Sequence, residues 1–305
     1  MAGSALVTGA YGFVGRHVAR RLEREGYFVI GIGHGAWTAA ESRQWGVAEW
    51  HSADVNLQSL HTYARSPNLI VHCAGSGSVP FSVQHPAQDF DRTVGSTLAV
   101  LEFIRQTCPT ATLVLPSSAG VYGHVSQMPI TTASLRNPLS PYGMHKQIAE
   151  DLCRSYGNSF SVRSVIVRLF SVYGVGIRKQ LLWDACMKLS SRQWSFAGTG
   201  EETRDWIHVD DAADLLNWAA SHATCGAPAI NGGSGVATSI RAVVELIADR
   251  IGASARPIFT GSTRAGDPQH YLADMHPVQE LGWRAQVDRE AAMRAYVDWF
   301  KSGGL

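Results

Sequence analysis

The chain has 305 residues, enough for one large domain or two smaller ones at roughly 150 residues per domain. Hydrophobic residues make up 45% and charged residues 17%, a globular composition that excludes disorder as the main state. Lys and Arg total 26 against 25 for Asp and Glu, a net charge of +1 with no block of one sign, which excludes a broad nucleic-acid-binding face.

No apolar run approaches the roughly 18 residues of a membrane helix. No basic leader precedes Ser4-Ala5-Leu6-Val7-Thr8, which already reads as a strand, so a cytoplasmic protein without a membrane partner is expected. The cysteines (Cys73, Cys108, Cys153, Cys186, Cys225) are odd in number and scattered, which fits a reducing compartment and suggests neither disulfides nor a thiolate metal site. The histidines include no H-x-x-x-H pair, and no metal is expected.

Strands are predicted over Ala5–Thr8, Phe28–Ile32, Ala48–His51, Leu69–Cys73, Ala111–Leu115 and Ser164–Arg168, separated by longer helical patterns. This is the sequence form of βαβ units and a parallel sheet. Four of the runs are nearly continuously apolar, as in strands covered on both faces. A helix over Phe13–Arg24 puts Val14, Val18 and Leu22 at i, i+4, i+8 on one face. Beyond Arg168 the pattern is less regular, with helices near Arg178–Ser190, Asp210–Ser221, Ser239–Arg250 and Asp288–Lys301. There is no repeat and no Pro/Ser-rich linker, so the second half is expected to pack directly on the first.

Between the first strand and first helix stands Gly9-Ala10-Tyr11-Gly12-Phe13-Val14-Gly15. Glycines at this spacing allow a tight turn and the approach of backbone N–H groups to a pyrophosphate, whose charge the helix N-terminus favours. Selectivity for the ribose is usually set after the second strand by a carboxylate that bonds the NAD 2′-hydroxyl. Here the segment reads Gly31-Ile32-Gly33-His34-Gly35, with no acid, which favours NADP(H) over NAD(H) with His34 and Arg43 as candidate cations. Asp54, after the third strand, either meets the adenine edge or caps the next helix. Further on, Tyr142 and Lys146 share a helix face at i, i+4 after Pro141. A phenol of pKa about 10 must come down roughly three units to exchange protons efficiently near neutrality, and an ammonium with an oxidised nicotinamide is the kind of positive field that does so. Ser118 ends a strand and enters a glycine-containing loop, where ligands of parallel sheets sit.

Together with Ser117-Ser118-Ala119-Gly120-Val121-Tyr122-Gly123, Arg168-Leu169-Phe170-Ser171-Val172-Tyr173-Gly174, Thr203-Arg204-Asp205-Trp206-Ile207-His208-Val209-Asp210-Asp211 and Arg264-Ala265-Gly266-Asp267, these motifs follow in an order that resembles the extended short-chain dehydrogenase/reductases, in their nucleotide-sugar epimerase/dehydratase branch, from end to end. The resemblance implies an α/β fold: a Rossmann-type doubly wound parallel sheet with a smaller, mixed α/β substrate-binding lobe. It implies a cofactor domain over 1–170, with later segments returning to it, and a lobe drawn mainly from 171–305. Tyr142 would be the acid/base, Lys146 would hold the nicotinamide ribose, and Ser118 would orient the sugar oxygen. Cofactor contacts are implied for Gly9, Tyr11, Gly12, Phe13, Val14, Gly15, His34, Asp54, Val55, Cys73, Ala74, Gly75 and Thr93. A nucleoside diphosphate sugar would meet Ser76, Ser118, Ala119, Tyr142, Ser171, Arg204, Arg264 and Asp267, the two arginines suiting paired phosphate oxygens. A homodimer through the helices beginning near Asp89 and Tyr142 is also implied.

The departures bear on the reaction. Dehydratases of this family carry an acid pair directly after the Ser118 position, where this chain has Ala119 and Gly120; decarboxylases usually place Glu at the latter and 3,5-epimerase/4-reductases Cys at the former. Thr93 and Ser171 stand where the family commonly has Asn. What remains needs only hydride transfer and the tyrosine proton. The acid-free second strand tilts the expectation to an NADPH-dependent 4-ketoreductase of a nucleotide sugar. The alternatives are a 4-epimerase with tightly bound NAD, and a non-catalytic cofactor-sensing binding protein, which the presence of both Tyr142 and Lys146 disfavours.

Overall fold

A computed structural model describes residues 3–262 and 269–304. In chain order its first elements are β1 (Ser4–Thr8), α1 (Phe13–Arg24), β2 (Phe28–Gly33), α2 (Ala39–Gln44), β3 (Glu49–Ser52), α3 (Leu57–Tyr63), β4 (Leu69–His72), α4 (Val79–Gln84), α5 (Pro86–Phe90), α6 (Ser96–Thr107), β5 (Thr112–Ser118), α7 (Pro141–Phe160) and β6 (Arg163–Leu169). There follow β7 (Ser171–Tyr173), α8 (Gln180–Ser190), β8 (Ser195–Phe196), β9 (Thr203–His208), α9 (Val209–Ala219), β10 (Ala229–Gly232), β11 (Ala237–Ser239), α10 (Ile240–Ile251), β12 (Ile258–Phe259), α11 (His276–Glu280) and α12 (Arg289–Lys301).

The alternation of apolar strands and amphipathic helices produces a seven-stranded parallel sheet of order β10-β6-β5-β4-β1-β2-β3. Parallel strands require crossovers, and here helices cover both faces. Leu6, Ile30, Ile32, Ile70, Leu113, Leu115 and Ile166 share one core with Leu60 of α3, Phe103 and Ile104 of α6 and Ala149 and Cys153 of α7. Residues of the opposite parity, Ala5, Val7, Val29, Val71, Val114 and Val165, are equally inaccessible to solvent, as alternation across a two-sided sheet demands. Each fully buried Leu or Ile contributes about 1.5–3 kcal/mol relative to exposure. Strand order reverses between β1 and β4, and ligands of such sheets bind outside the strand carboxyl ends at that point.

The chain divides into two compact units. The first comprises Met1–His124, Thr132–Leu169 and Ala212–Asn231; the second Val125–Thr131, Phe170–Asp211 and Gly232–Leu305. Within the second, β9 pairs antiparallel with β11 and parallel with β7, and β8 pairs with β12. There α10 packs on both α8 and α12. This is the doubly wound sheet and the smaller mixed lobe expected from the sequence. Among the described residues no helix is long and apolar enough to cross a membrane.

Candidate active site

The turn after β1 is built so that side chains are excluded. Gly9 has φ +68°, and its N–H donates to the Ile32 carbonyl at 2.7 Å, tying the turn to β2. A β carbon at Gly9 would lie 2.7 Å from the Ala74 nitrogen, and one at Gly15 2.2 Å from the Gly9 oxygen. The loops after β1 and β4 therefore touch where the strand order reverses. Gly12 caps α1 without a side-chain bond, and the first turn holds no acid, which leaves the N–H groups of Phe13 and Val14 for an anion. A cradle that β carbons would fill, at a positive helix end, fits a dinucleotide pyrophosphate. The Arg16 guanidinium braces the turn from within, donating to the Tyr11 carbonyl at 2.5 Å and the Gly12 carbonyl at 3.3 Å. The Tyr11 ring lies under Gly35, where a β carbon would come within 2.1 Å of it, and beside Trp37 and Trp50 at centroid distances of 5.0 and 6.2 Å.

The end of β2 is not free of acids in space. The Asp54 carboxylate lies 2.5 Å from His34 Nε2, and each side chain is 75% exposed. Register explains it: Gly33 pairs with Ser52 of β3, so the residues just after the two strands meet. The capping role open to Asp54 falls instead to Asn56, which accepts the Ser59 N–H at 2.9 Å. Val55 is half-buried against the core, and Arg43 is exposed in the last turn of α2.

β4 ends at His72, one residue earlier than expected, which leaves Cys73, Ala74, Gly75 and Ser76 in the loop. His72 is buried between Thr8 Oγ1 at 2.7 Å and Ser96 Oγ at 3.2 Å, and burial, with the Lys146 charge, pushes its imidazole down to about 3. Burial pushes the Cys73 thiol up to about 12, a protonated and unreactive group. Between α5 and α6 the helix widens into a π turn over Asp91–Gly95, a feature frequent at functional sites. From it the Thr93 hydroxyl accepts the Ser76 N–H at 3.3 Å.

The proton-carrying groups converge on the loop after β5. The Ser118 hydroxyl accepts the Gly120 N–H at 3.1 Å and lies near enough to the Tyr142 phenol to draw its pKa down. Ser140 and Pro141 start α7 as cap and first residue, and Gly143 allows the helix to close on this loop, since a β carbon there would lie 2.5 Å from the Gly120 oxygen. One turn on, the buried Lys146 donates to the Pro116 carbonyl at 3.1 Å. Burial raises the Tyr142 phenol, the nearby Ser118 hydroxyl opposes this and the Asp89 charge adds to it. Burial also lowers the Lys146 ammonium, against the attraction of Cys73, Asp89 and Glu150. In the protein alone the phenol thus moves the opposite way from the expected lowering, because desolvation and the Asp89 charge outweigh the opposing effect of Ser118.

Three contributions were not legible locally. Ser82 of α4 accepts the Tyr142 N–H at 3.0 Å, and Asp89 of α5 lies 2.5 Å from His145 Nδ1, buried beside the Tyr142–Lys146 pair. Under the β5 end, Glu150 is clasped by Arg168 at 2.9 and 2.8 Å and by Ser117 at 2.7 Å. Burial works to raise that carboxyl, but the Arg168 bonds hold it below the usual carboxylate range.

In the second unit Ser171 opens β7, paired with Trp206 of β9, and the Arg204 guanidinium donates to the carbonyls of Thr203 at 2.9 Å and Gln269 at 3.4 Å. Asp205 is buried and accepts from Ser234 N–H and O–H at 2.6 and 2.7 Å, Gly235 N–H at 3.0 Å and Ala273 N–H at 3.1 Å. Arg264 and Asp267 lie outside the described residues.

A family model described as the NAD dependent epimerase/dehydratase family matches residues 5–231. The chain is 28% identical to a putative UDP-glucose 4-epimerase of Methanocaldococcus jannaschii, covering 97% of this chain and 98% of that protein. It is 29% identical to a UDP-glucose 4-epimerase of Azospirillum brasilense, over 97% and 92%. Among solved structures, MoeE5 in complex with UDP-glucuronic acid and NAD superposes with a TM-score of 0.86 at 27% identity, covering 99% of this chain and all of that one. A UDP-N-acetylglucosamine 4-epimerase from Methanobrevibacter ruminantium M1 gives 0.87 over 99% of both chains; at 23% identity that likeness speaks to the fold.

Proposed function

Since this chain belongs to the NAD dependent epimerase/dehydratase family, we propose that it is a nucleotide-sugar 4-epimerase that works with NAD. The observation that carries this reading is the loop after Ser118. Ala119 and Gly120 follow Ser118, and a β carbon at Gly120 would lie 3.3 Å from Ser118 Oγ and 3.6 Å from the Tyr142 ring, so the position that faces both groups carries no acid side chain. Elimination of water needs such an acid; oxidation and re-reduction of one carbon do not. Between the two chemistries that remain, the full-length likeness to proteins named 4-epimerases favours epimerisation over the ketoreductase expected from sequence. The premise for NADPH also weakens, because Asp54 brings a carboxylate to His34.

The Gly9–Gly15 turn with Phe13 and Val14 would hold the cofactor pyrophosphate, His34, Asp54 and Val55 the adenosine, and Cys73, Ala74, Gly75, Thr93 and Lys146 the nicotinamide end. A bound nicotinamide supplies the hydride acceptor and donor that the reaction requires. Tyr142 takes the proton of the sugar 4-hydroxyl and later returns it, while Ser118 holds the same oxygen through both stages. The phenol that burial raises needs positive charge to act as a base; the Lys146 ammonium at i+4 together with the oxidised nicotinamide of a bound cofactor would supply it. Ser76, Ala119 and Ser171 would border the sugar. Arg204, with Arg264 and Asp267, would take the diphosphate. Val83, Phe90, Leu98 and Met144, apolar and exposed on α4 to α7, support a homodimer through this face.

Purified protein should carry stoichiometric nicotinamide and interconvert two nucleotide sugars differing at carbon 4 without added cofactor. Tyr142→Phe should lower kcat by about 10²–10⁴-fold with nucleotide still bound. Consumption of added NADPH with accumulation of one reduced product would replace the epimerase with the ketoreductase.

A further inference from the structure

We propose that Asp89 is a positioning residue for the reaction: through His145 it holds the helix that carries Tyr142 and Lys146, and it sets a negative charge beside them. The inference rests on the epimerase reading above and adds a part to its machinery. His145 precedes Lys146 on α7 and lies at i+3 from Tyr142, so the three residues occupy neighbouring positions on one side of the helix. The imidazole reaches across to α5, with Nδ1 2.5 Å from Asp89 Oδ2, and the Phe90 ring meets it edge-on at 5.4 Å. From Asp89 the chain runs directly into the π turn that brings Thr93 to the loop after β4. One contact thus ties the proton-carrying helix to the segment that orders that loop.

Asp89 is fully buried, and its second oxygen, Oδ1, meets no donor among the described residues. Charge in such a place is poorly screened and reaches its neighbours. The titratable groups packed around Tyr142 and Lys146 are His72 of β4, Cys73 after it, Tyr122 in the loop after β5, Asp89, and His145 and Glu150 of α7. His72 and Cys73 are neutral near pH 7, burial raises the Tyr122 phenol, and Glu150 is clasped by Arg168 with Arg136 and Arg154 beside it. Farther out, His85 and Arg92 lie against the Phe81 ring, Asp91 is exposed, and Glu102 and Arg105 of α6 pair with one another. The anion that no arginine cancels is therefore Asp89. Its charge acts on both members of the pair in one sense: it opposes deprotonation of the Tyr142 phenol and favours the charged form of Lys146, which burial disfavours. A tyrosine beside an ammonium and an oxidised nicotinamide is drawn toward the phenolate, and drawn too far it is a weak base for the sugar hydroxyl. Asp89 balances that pull while keeping Lys146 charged.

The test follows the Tyr142 proton directly. Full-length protein labelled with ¹³C at the tyrosine ζ carbons is titrated by NMR with and without NAD⁺, the Tyr142 signal being the one missing from Tyr142→Phe. Asp89→Asn keeps the shape of the residue and can still accept from His145 but loses the charge, so its Tyr142 signal should titrate at lower pH than that of the wild type in both series. In His145→Asn an amide N–H replaces Nδ1–H and the carboxylate keeps its charge, so the titration should stay in place. The double variant Asp89→Ser/His145→Ser, which orphans neither partner, should repeat the acid shift and serves if Asp89→Asn does not fold. With whichever nucleotide sugar the wild type interconverts, both limbs of the kcat–pH profile should move to lower pH in Asp89→Asn, with kcat at the optimum within about tenfold of the wild type. A role in folding alone would lower kcat and leave both limbs where they were. An unmoved Tyr142 titration in the charge-free variants, or an equal shift in His145→Asn, overturns the inference. Absence of any interconversion by the wild type, with the titration shift intact, overturns the epimerase reading instead.

Discussion

A methyl group on Gly15 would lie 2.2 Å from the Gly9 carbonyl oxygen and 2.8 Å from its carbon, backbone atoms that the Gly9–Ile32 hydrogen bond already fixes. Neither side can give way without opening the turn. Gly15→Ala should therefore cost about 1–3 kcal/mol of stability, and the thermal shift on adding NAD should vanish with it; a variant that still shows the full NAD-dependent shift would refute the close-packed turn. Residues of this kind are legible in the sequence because the motif that carries them is local: seven residues for the turn, five from Tyr142 to Lys146. The contact between His34 and Asp54 was not. It joins residues twenty apart, and it depends on the pairing of Gly33 with Ser52, which no single stretch reveals. The direction of the Tyr142 shift was hidden for a related reason, since desolvation is set by everything packed around a side chain and not by its neighbours in sequence.

At the scale of elements, long apolar strands and amphipathic helices declared themselves, and the second-half helices were placed within a few residues of α8, α9, α10 and α12. Strands of two to four residues such as β7, β8 and β12 carry too few side chains to show a period of two. The π turn over Asp91–Gly95 also has no sequence signature. Its structural effect is specific: it is from this wider turn that Thr93 reaches the loop after β4. Thr93→Val keeps the shape and removes the acceptor for Ser76 N–H. It should cost about 1 kcal/mol in urea unfolding and speed amide exchange at Ser76, and unchanged exchange there would deny the turn its role in ordering this loop.

For the whole molecule, acid stability follows from a residue that never meets substrate. Burial holds the His72 imidazole at about 3, against about 6.5 for histidine in an unfolded chain. The unfolded chain takes up a proton on acidification that the folded chain refuses. This contribution is complete above the unfolded value and is lost as pH falls from there toward 3, roughly 2 kcal/mol of it by pH 5. Urea unfolding at pH 7 and pH 5 should show the loss. His72→Asn should be less stable at pH 7 with a flatter decline, and a decline as steep as that of the wild type would assign acid sensitivity elsewhere. Glu150, whose carboxyl is held low by Arg168, adds its own loss only at lower pH, as pH falls through the carboxylate range.

The interleaving of the two units also constrains how the chain comes into being on the ribosome. β6 ends at Leu169, but the strand that covers its outer edge, β10, begins at Ala229. At about 5–20 residues per second, synthesis leaves that edge bare for roughly 3–12 seconds, during which its unpaired N–H and C=O groups present a template to any other nascent strand. The residues translated in that interval are largely those of the second unit, so the order of the gene places the closing strand of the nucleotide sheet behind the Phe170–Asp211 part of a second folding task whose larger share is still to come.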